Sequence, residues 1–220
     1  MKKLAVFDFD GTLFENQTIP YFIEQWEKLN YPKANLRRAK AKIIKIYFMN
    51  KFKILGKDEF RARAISDFLS AFTNMYQEDI DEFFYKASKD APLYFNKKVL
   101  KEITIAKENN YYTILLSGCY ENFLKYIANY LKINSFIGSK INYNEYDKID
   151  FDNPVDILNG NNKLDKLLEN FPDIDFKSSI AYADSHTDIE LLSSFGKAYA
   201  VKPDQTLKEK ALENNWIIIE

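Results

Sequence analysis

Apolar residues along the chain follow two periods, which separate predicted strands from predicted helices. Short apolar runs with little alternation predict buried β-strands at residues 4–9, 111–116, 179–183, 197–201 and 216–219. Apolar residues spaced three and four apart predict helices at residues 19–29, 34–53, 58–75, 78–89, 97–108, 121–131, 163–169, 189–194 and 207–214. Short β-like pieces at residues 135–151 predict a hairpin around the sequence NEYD.

The order of these elements indicates the fold class. Strands separated by helices predict an α/β protein with a doubly wound parallel sheet. Four consecutive helices, punctuated by Gly56 and Pro92, fall between the first two strands and predict a helical insertion. We therefore expect a core made of residues 1–14 and 93–220, with the insertion at residues 15–92.

Composition limits the classes of protein and of metal site. The 220 residues are 46% hydrophobic and 29% charged, which is ordinary for a soluble globular protein. A lone cysteine, Cys119, rules out an internal disulfide and fits a reducing compartment. Because neither a signal-peptide h-region nor a membrane-spanning run is visible, we expect a cytoplasmic protein. A lone histidine, His186, favours a metal held by oxygens, and hence Mg²⁺ over zinc.

Charge is concentrated in the insertion. The whole chain carries a net charge of −1, whereas residues 33–63 carry eleven basic and two acidic side chains. Arg38, Lys42 and Lys45 fall on one stripe of the predicted helix 34–53. A solvated face is the favoured interpretation, and nucleic-acid binding is not expected. Two functional interpretations remain open, steering of anionic substrates or contact of this basic cap, with its neighbouring aromatic residues, with an anionic membrane.

Candidate chemistry follows the carboxyl ends of the predicted strands, where α/β sheets bind ligands. Asp8 and Asp10 lie at the end of the first strand, Ser117 follows the second and Asp184 a later one. Two neighbouring carboxylates repel each other unless a divalent cation shares them. Asp184 can complete an oxygen-rich Mg²⁺ site, while Ser117 and Lys163 offer a hydroxyl and a positive charge to phosphate oxygens.

Taken singly, most of these residues favour structural roles. Ser117 is typical of a helix N-cap, Lys163 of a surface lysine, and Thr187 with Glu190 of a capping box.

The order of the candidate motifs along the chain changes this interpretation. The sequences DFDGT, ILLSG, GNNK and AYADSHTD follow one another, and three of them directly follow predicted strands. This set resembles the four motifs of the haloacid dehalogenase (HAD) superfamily, from residue 3 to about residue 201.

The resemblance implies a Rossmann-like core with a type 1 helical cap and a Mg²⁺-dependent phosphatase. It assigns Asp8 as the nucleophile that forms an aspartyl-phosphate, and Asp10 as the general acid and base. Mg²⁺ would be held by Asp8, by Asp184 and by the backbone carbonyl of Asp10. The remaining assignments are phosphate binding by Thr12, Ser117, Gly118 and Lys163, and support behind the metal ligands by Asp188 and Thr187.

The C-terminal part resembles subfamily IB, which contains phosphoserine phosphatases. Gln17 stands where those enzymes have a glutamate for the substrate ammonium, and Thr187 replaces an asparagine. We therefore expect a small phosphorylated metabolite, an amino-alcohol, sugar or phosphoserine-like phosphate, with Arg61 and Arg63 as further specificity residues. A lipid-phosphate phosphatase and a phosphotransferase are the alternatives. A relic binding protein is disfavoured because all four motifs are retained, and a receiver domain because it has no helical cap.

Overall fold

The computed structural model describes residues 1–220, with the side chains of Lys57, Asp58 and Asn161 excepted. Two charged side chains of the basic range 33–63, those of Lys57 and Asp58, therefore lie outside the described residues. Its seven-stranded sheet has the order β4-β3-β2-β1-β5-β6-β7, and all neighbours are parallel except the antiparallel pair β3 and β4. The strands are β1 (Leu4–Phe7), β2 (Tyr112–Tyr120), β3 (Ser135–Ile141), β4 (Val155–Asp156), β5 (Ile180–Ala183), β6 (Lys197–Val201) and β7 (Ile217–Ile219).

Helices cover both faces of the sheet and also fill the segment between β1 and β2. They are α1 (Thr18–Lys28), α2 (Lys33–Lys51), α3 (Lys57–Phe68), α4 (Gln77–Ser88), α5 (Lys97–Glu108), α6 (Glu121–Leu131), α7 (Gly160–Asn170), α8 (Ile189–Ser194) and α9 (Gln205–Glu213). Helices α5 and α6 pack on one face of the sheet, and α7, α8 and α9 on the other. The predicted doubly wound α/β fold is thereby confirmed.

Strand β1 lacks polar alternation because both of its faces are buried. Ala5 and Phe7 face one hydrophobic core, while Leu4 and Val6 face the other. On the first face Phe7 stacks on Tyr182 of β5 with ring centroids 4.5 Å apart. This packing fixes the carboxyl ends of β1 and β5 beside each other.

Aromatic packing joins part of the helical segment to the core. Phe22 of α1 packs edge-on against Phe123 of α6 with ring centroids 4.9 Å apart, and Phe84 of α4 lies 5.3 Å from Tyr120. The other part, where α2 meets α3, has a small hydrophobic cluster of its own that includes Ile46. The limits of the insertion at residues 15–92 stay a prediction.

Most predicted elements are shifted by a few residues at their ends, and three differ more from the structure. Strand β2 does not close at Ser117 and Gly118 but continues to Tyr120, with a register shift against β3 after Leu116. The helix predicted at 58–75 ends at Phe68 and gives way to a 3-10 turn. In the hairpin region 135–151, residues 135–141 form the parallel strand β3, so the hairpin around NEYD is shorter than predicted. It consists of an antiparallel bridge between Tyr143 and Ile149 and of backbone hydrogen bonds from the Asn144 N–H to the Lys148 carbonyl and from the Asp150 N–H to the Asn142 carbonyl.

A helix that crosses a membrane must be both long and apolar. Over the part of the chain that the structure describes, none is both long enough and apolar enough to cross a bilayer.

Candidate active site

Asp8 and Asp184 meet where the connections between strands change direction across the sheet. Strand β1 has β2 on one side and β5 on the other, and Asp8 and Asp184 directly follow β1 and β5. The backbone N–H of Asp8 donates to the carbonyl of Tyr182 at 2.9 Å, which carries the pairing of these strands to the site. Such a reversal point is where doubly wound sheets bind ligands.

The buried carboxylate of Asp8 is held through both of its oxygens. Lys163 Nζ donates to Oδ1 at 2.8 Å, and Thr12 Oγ1 donates to Oδ2 at 3.4 Å. Thr12, predicted to bind phosphate, thus orients Asp8 in this structure. Asp8 and Lys163 are each 5% exposed, so water screens the attraction between their charges only weakly.

Lys163 lies in the first turn of α7, where its ammonium contacts two acids. Its Nζ is 2.7 Å from Asp188 Oδ1 as well as 2.8 Å from Asp8 Oδ1. The contact with Asp188 is an ion pair. Burial alone lowers the pKa of Lys163, but the charges of Asp188 and Asp8 outweigh it and raise the pKa above the usual lysine value.

Three carboxylates form a cluster at the site. One oxygen from each of Asp8, Asp184 and Asp188 lies within 4.8 Å of the others. Burial, then the charges of Asp8 and Asp188, raise the pKa of Asp184 to about 8. Burial also raises the pKa of Asp188, against the lowering effect of Lys163. Lys163 therefore compensates this negative charge only in part.

Gly11 makes room for Asp184. Its φ is +77°, and a Cβ at this position would lie 2.2 Å from Asp184 Oδ2. The Asp184 carboxylate therefore packs against the backbone of Gly11, close to Asp8. A cluster of carboxylate oxygens with excess negative charge suits a divalent cation. Asp8, Asp184 and Asp188 are the side chains that would hold it, whereas the sequence predicts Asp188 behind the ligands.

Asp10 has surroundings different from those of Asp8. Its carboxylate accepts hydrogen bonds from the backbone N–H of Thr18 at 3.0 Å and from the Thr18 hydroxyl at 2.8 Å. Burial raises the pKa of Asp10 to about 7, opposed by the Thr18 hydroxyl and assisted by the charge of Asp8. The side chain of Asp10 is outside the described carboxylate cluster, and metal binding through its carbonyl stays a prediction.

Ser117 and Gly118 reach the site from β2, on the other side of β1. Ser117 is buried, and its Oγ accepts a hydrogen bond from the Cys119 N–H at 3.3 Å. A Cβ on Gly118 would lie 2.9 Å from the carbonyl oxygen of Leu158. Cys119 itself is buried, and burial raises its pKa well above the usual thiol value, so it packs rather than reacts.

A cavity of about 750 Å³ lies between this end of the sheet and helices α1, α2 and α3. Gln17, Arg61 and Thr187, three of the residues predicted at the site, line it. Arg61 Nη1 donates to Ser185 Oγ at 3.3 Å and thereby connects α3 to the loop after β5. Ser185 was missed by the sequence analysis, because its partner is 124 residues away.

The other charged residues of the helical segment lie elsewhere. Arg63, predicted as a specificity residue, is not brought to the cavity but pairs with Glu59 at 2.6 Å on the surface. The basic stripe of Arg38, Lys42 and Lys45 is exposed on α2 and does not line the cavity. Contact of this stripe with a membrane stays a prediction.

Comparisons with known proteins agree with the motif pattern. A sequence model of the haloacid dehalogenase-like hydrolases matches residues 5–193. The inhibition of morphological differentiation protein of Streptomyces azureus is 41% identical over 46 residues, 21% of this chain and 17% of that protein. The chain therefore spans well under two thirds of that curated relative.

Solved structures agree in fold. A protein of unknown function from Bordetella pertussis Tohama I superposes with a TM-score of 0.81 at 15% identity, over 100% of this chain and 99% of the other. A substrate-bound phosphoserine phosphatase superposes with a TM-score of 0.65 at 21% identity, over 100% and 93% of the two chains. With a family match over most of its length and a phosphoserine-phosphatase-like fold, the chain belongs to the haloacid dehalogenase-like hydrolases.

Proposed function

We propose that the protein is a Mg²⁺-dependent phosphomonoester hydrolase that acts on a small organic phosphate through an aspartyl-phosphate at Asp8. One observation carries the proposal. A buried carboxylate, Asp8, lies against Lys163 and the acids Asp184 and Asp188 at one end of a cavity of about 750 Å³. Phosphoryl transfer needs positioning and charge compensation above all, and this arrangement supplies both.

Asp8 is the group placed to attack. Lys163 and Thr12 hold its carboxylate in one orientation through hydrogen bonds to its two oxygens. A carboxylate oxygen of Asp8 forms a bond to phosphorus while the bond between phosphorus and the leaving oxygen breaks. Water then attacks the phosphorus of the acyl phosphate, the bond to Asp8 breaks, and free phosphate leaves.

Asp10 moves the protons of both steps. With a pKa of about 7 it carries a proton in part of the population at neutral pH and donates it to the leaving alcohol oxygen. The resulting carboxylate then takes a proton from the attacking water, so Asp10 returns to its starting state. Its hydrogen bonds from Thr18 keep the carboxyl group in place between the two steps.

The remaining groups bind the phosphate. Ser117 and Lys163 line the cavity beside Asp8 and supply a hydroxyl donor and an ammonium to phosphoryl oxygens. Arg61 adds a second positive charge near the loop after β5. Mg²⁺, when bound, would offset the charge of the carboxylate cluster and of the phosphoryl group.

The proposal is tested by phosphate release from a broad panel of monoesters, with and without Mg²⁺. The wild-type chain should release phosphate only with the metal, and Asp8→Asn should lose at least about a thousandfold in rate. Asp173→Asn, at an exposed position, is the matched control and should retain full activity. Retained turnover in Asp8→Asn would exclude the mechanism, and phosphate recovered on an added acceptor alcohol would indicate a phosphotransferase instead.

A further inference from the structure

The cavity has two chemically different ends. One, the acidic end, is where Asp8, Asp10, Lys163, Asp184 and Asp188 converge. The cavity of about 750 Å³ is far larger than a phosphoryl group, and its size is typical of sites that enclose a whole organic ligand. The part beyond the acidic end therefore faces the leaving group of the ester.

An apolar wall bounds that second part. Its members are Ile19, Ile23, Ile43, Phe60 and Ile65, from helices α1, α2 and α3. All are half-buried, because each packs partly against the hydrophobic clusters and also lines the cavity. Apolar surface exposed inside a cavity favours a ligand that covers it with apolar atoms.

The polar residues that the helical segment adds to the cavity lining offer no counter-charge for an ammonium. They are Gln17, Thr18, Asn50 and Arg61, and among the described lining residues the carboxylates all belong to the acidic end. Asn50 already donates to the Leu55 carbonyl at 2.9 Å. Arg61 donates to Ser185, and its charge acts on Asp10 and Asp184, so it belongs to the phosphate end.

We propose that the leaving group is an apolar alcohol, so that the substrate is the phosphate monoester of an aliphatic or aromatic alcohol rather than of an amino acid or sugar. The proposal rests on the proposed function and narrows its substrate class. The acidic end takes the phosphoryl group, and the apolar wall takes the hydrocarbon part of the ester. A zwitterionic or hydroxyl-rich leaving group that bound at the apolar wall would lose its hydrogen bonds to water. The wall offers no polar partners to replace them, so its binding would be unfavourable.

A homologous series of n-alkyl phosphates, from ethyl to octyl, tests the proposal. These alcohols have nearly equal acidity, so the chemical step is constant and chain length varies only apolar contact. We expect kcat/KM to rise about threefold to fourfold per methylene until the wall is filled, and to exceed the values for phosphoserine, phosphoethanolamine and glucose 6-phosphate. A flat or falling series, or a preference for those polar esters, would overturn the proposal.

A matched pair of variants locates the effect. Phe60→Ser removes a member of the apolar wall, whereas Phe48→Ser makes the same change at a position on α2 that is 49% exposed and away from the cavity. Phe60→Ser should flatten the dependence on chain length, and Phe48→Ser should leave it as in the wild type. If kcat/KM depended on chain length equally in both variants, the proposal that the hydrocarbon part of the ester binds at the apolar wall would be contradicted.

Binding of n-alkyl phosphonates separates this inference from the proposed function, because it needs no turnover. Measured by calorimetry on the wild-type chain with Mg²⁺, the dissociation constant should fall by the same factor per methylene. If no ester is hydrolysed but the phosphonates follow this trend, the proposed function fails and the apolar wall stands. If esters are hydrolysed but phosphonate affinity does not depend on chain length, the inference fails and the proposed function stands.

Discussion

Asp10 and Thr18 are joined by two hydrogen bonds, one from the Thr18 backbone N–H at 3.0 Å and one from its hydroxyl at 2.8 Å. Thr18 is the first residue of α1, so the loop after β1 is tied to the start of the helical segment. Burial raises the pKa of Asp10 to about 7, and the Thr18 hydroxyl opposes that rise. A pKa near neutrality suits a group that must first give and then take a proton.

Thr18→Val should move the pH profile upward. Valine keeps the shape and the backbone N–H but removes the hydroxyl, so burial then raises the pKa of Asp10 further. The protonated acid persists to higher pH, and the alkaline limb of kcat/KM for an alkyl phosphate should shift up by about one pH unit.

Thr18→Ser is the control for this prediction, because it keeps the hydroxyl and should keep the wild-type profile. The measurement is the pH dependence of initial rates with Mg²⁺ present. An unchanged profile in Thr18→Val would show that the hydroxyl does not tune Asp10.

The sequence predicts the positions of Asp8 and Asp184 because the rule for parallel sheets needs only strand order. It also predicts a helix that starts at Lys163, although α7 begins three residues earlier, at Gly160. Contacts that depend on how the helical segment folds back could not be predicted. Thr18 looks like any residue at a helix start until the loop after β1, which turns at Gly11, brings it to Asp10.

Neither the apolar wall nor the end of β2 could be predicted, because both depend on contacts that the local sequence pattern does not reveal. Ile43 and Phe60 have helical spacing whether they face a core or a cavity, so periodicity alone does not distinguish the two. Ser117 and Gly118 have the composition of a strand end, yet a register shift lets β2 continue past them. Arg63 differs from Arg61 by two residues, which turns it away on a helix, and it pairs with Glu59 instead.

Gly11→Ala should destabilise the protein and damage the site together. The φ of +77° is unfavourable for alanine, and the added Cβ would lie 2.2 Å from Asp184 Oδ2. We expect a loss of about 2 kcal/mol or more in the free energy of unfolding, with weaker Mg²⁺ binding because Asp184 must move. Gly56→Ala is the control, since its Cβ would meet nothing within 4 Å. Denaturant unfolding and metal titration measure both effects, and equal behaviour of the two variants would contradict the role of Gly11.

The metal-free protein should become less stable as the pH rises from about 4 to about 8. The pKa of Asp184 is raised to about 8 in the folded chain, against about 4 for an unfolded aspartate. Between these values the folded protein holds a proton that the unfolded chain has released, so the free energy of unfolding falls with rising pH.

Mg²⁺ should reverse this loss, because it replaces the proton at the carboxylate cluster. Thermal unfolding should show a larger rise of Tm on Mg²⁺ addition at pH 8 than at pH 5. Asp184→Asn should weaken both the pH dependence and the response to Mg²⁺. A metal response that is equal at both pH values would be inconsistent with a cation bound by these carboxylates.

Chemical trapping of Asp8 tests the central claim most directly. Asp10→Asn with an aryl phosphate, whose leaving group needs no proton, should form the phosphoenzyme with Mg²⁺ but hydrolyse it slowly. After an acid quench, borohydride reduces an aspartyl-phosphate to homoserine, which tandem mass spectrometry assigns to a position in the chain. The account predicts homoserine at residue 8. Release of aryl alcohol with Asp8 unmodified, or with homoserine at another aspartate, would contradict it.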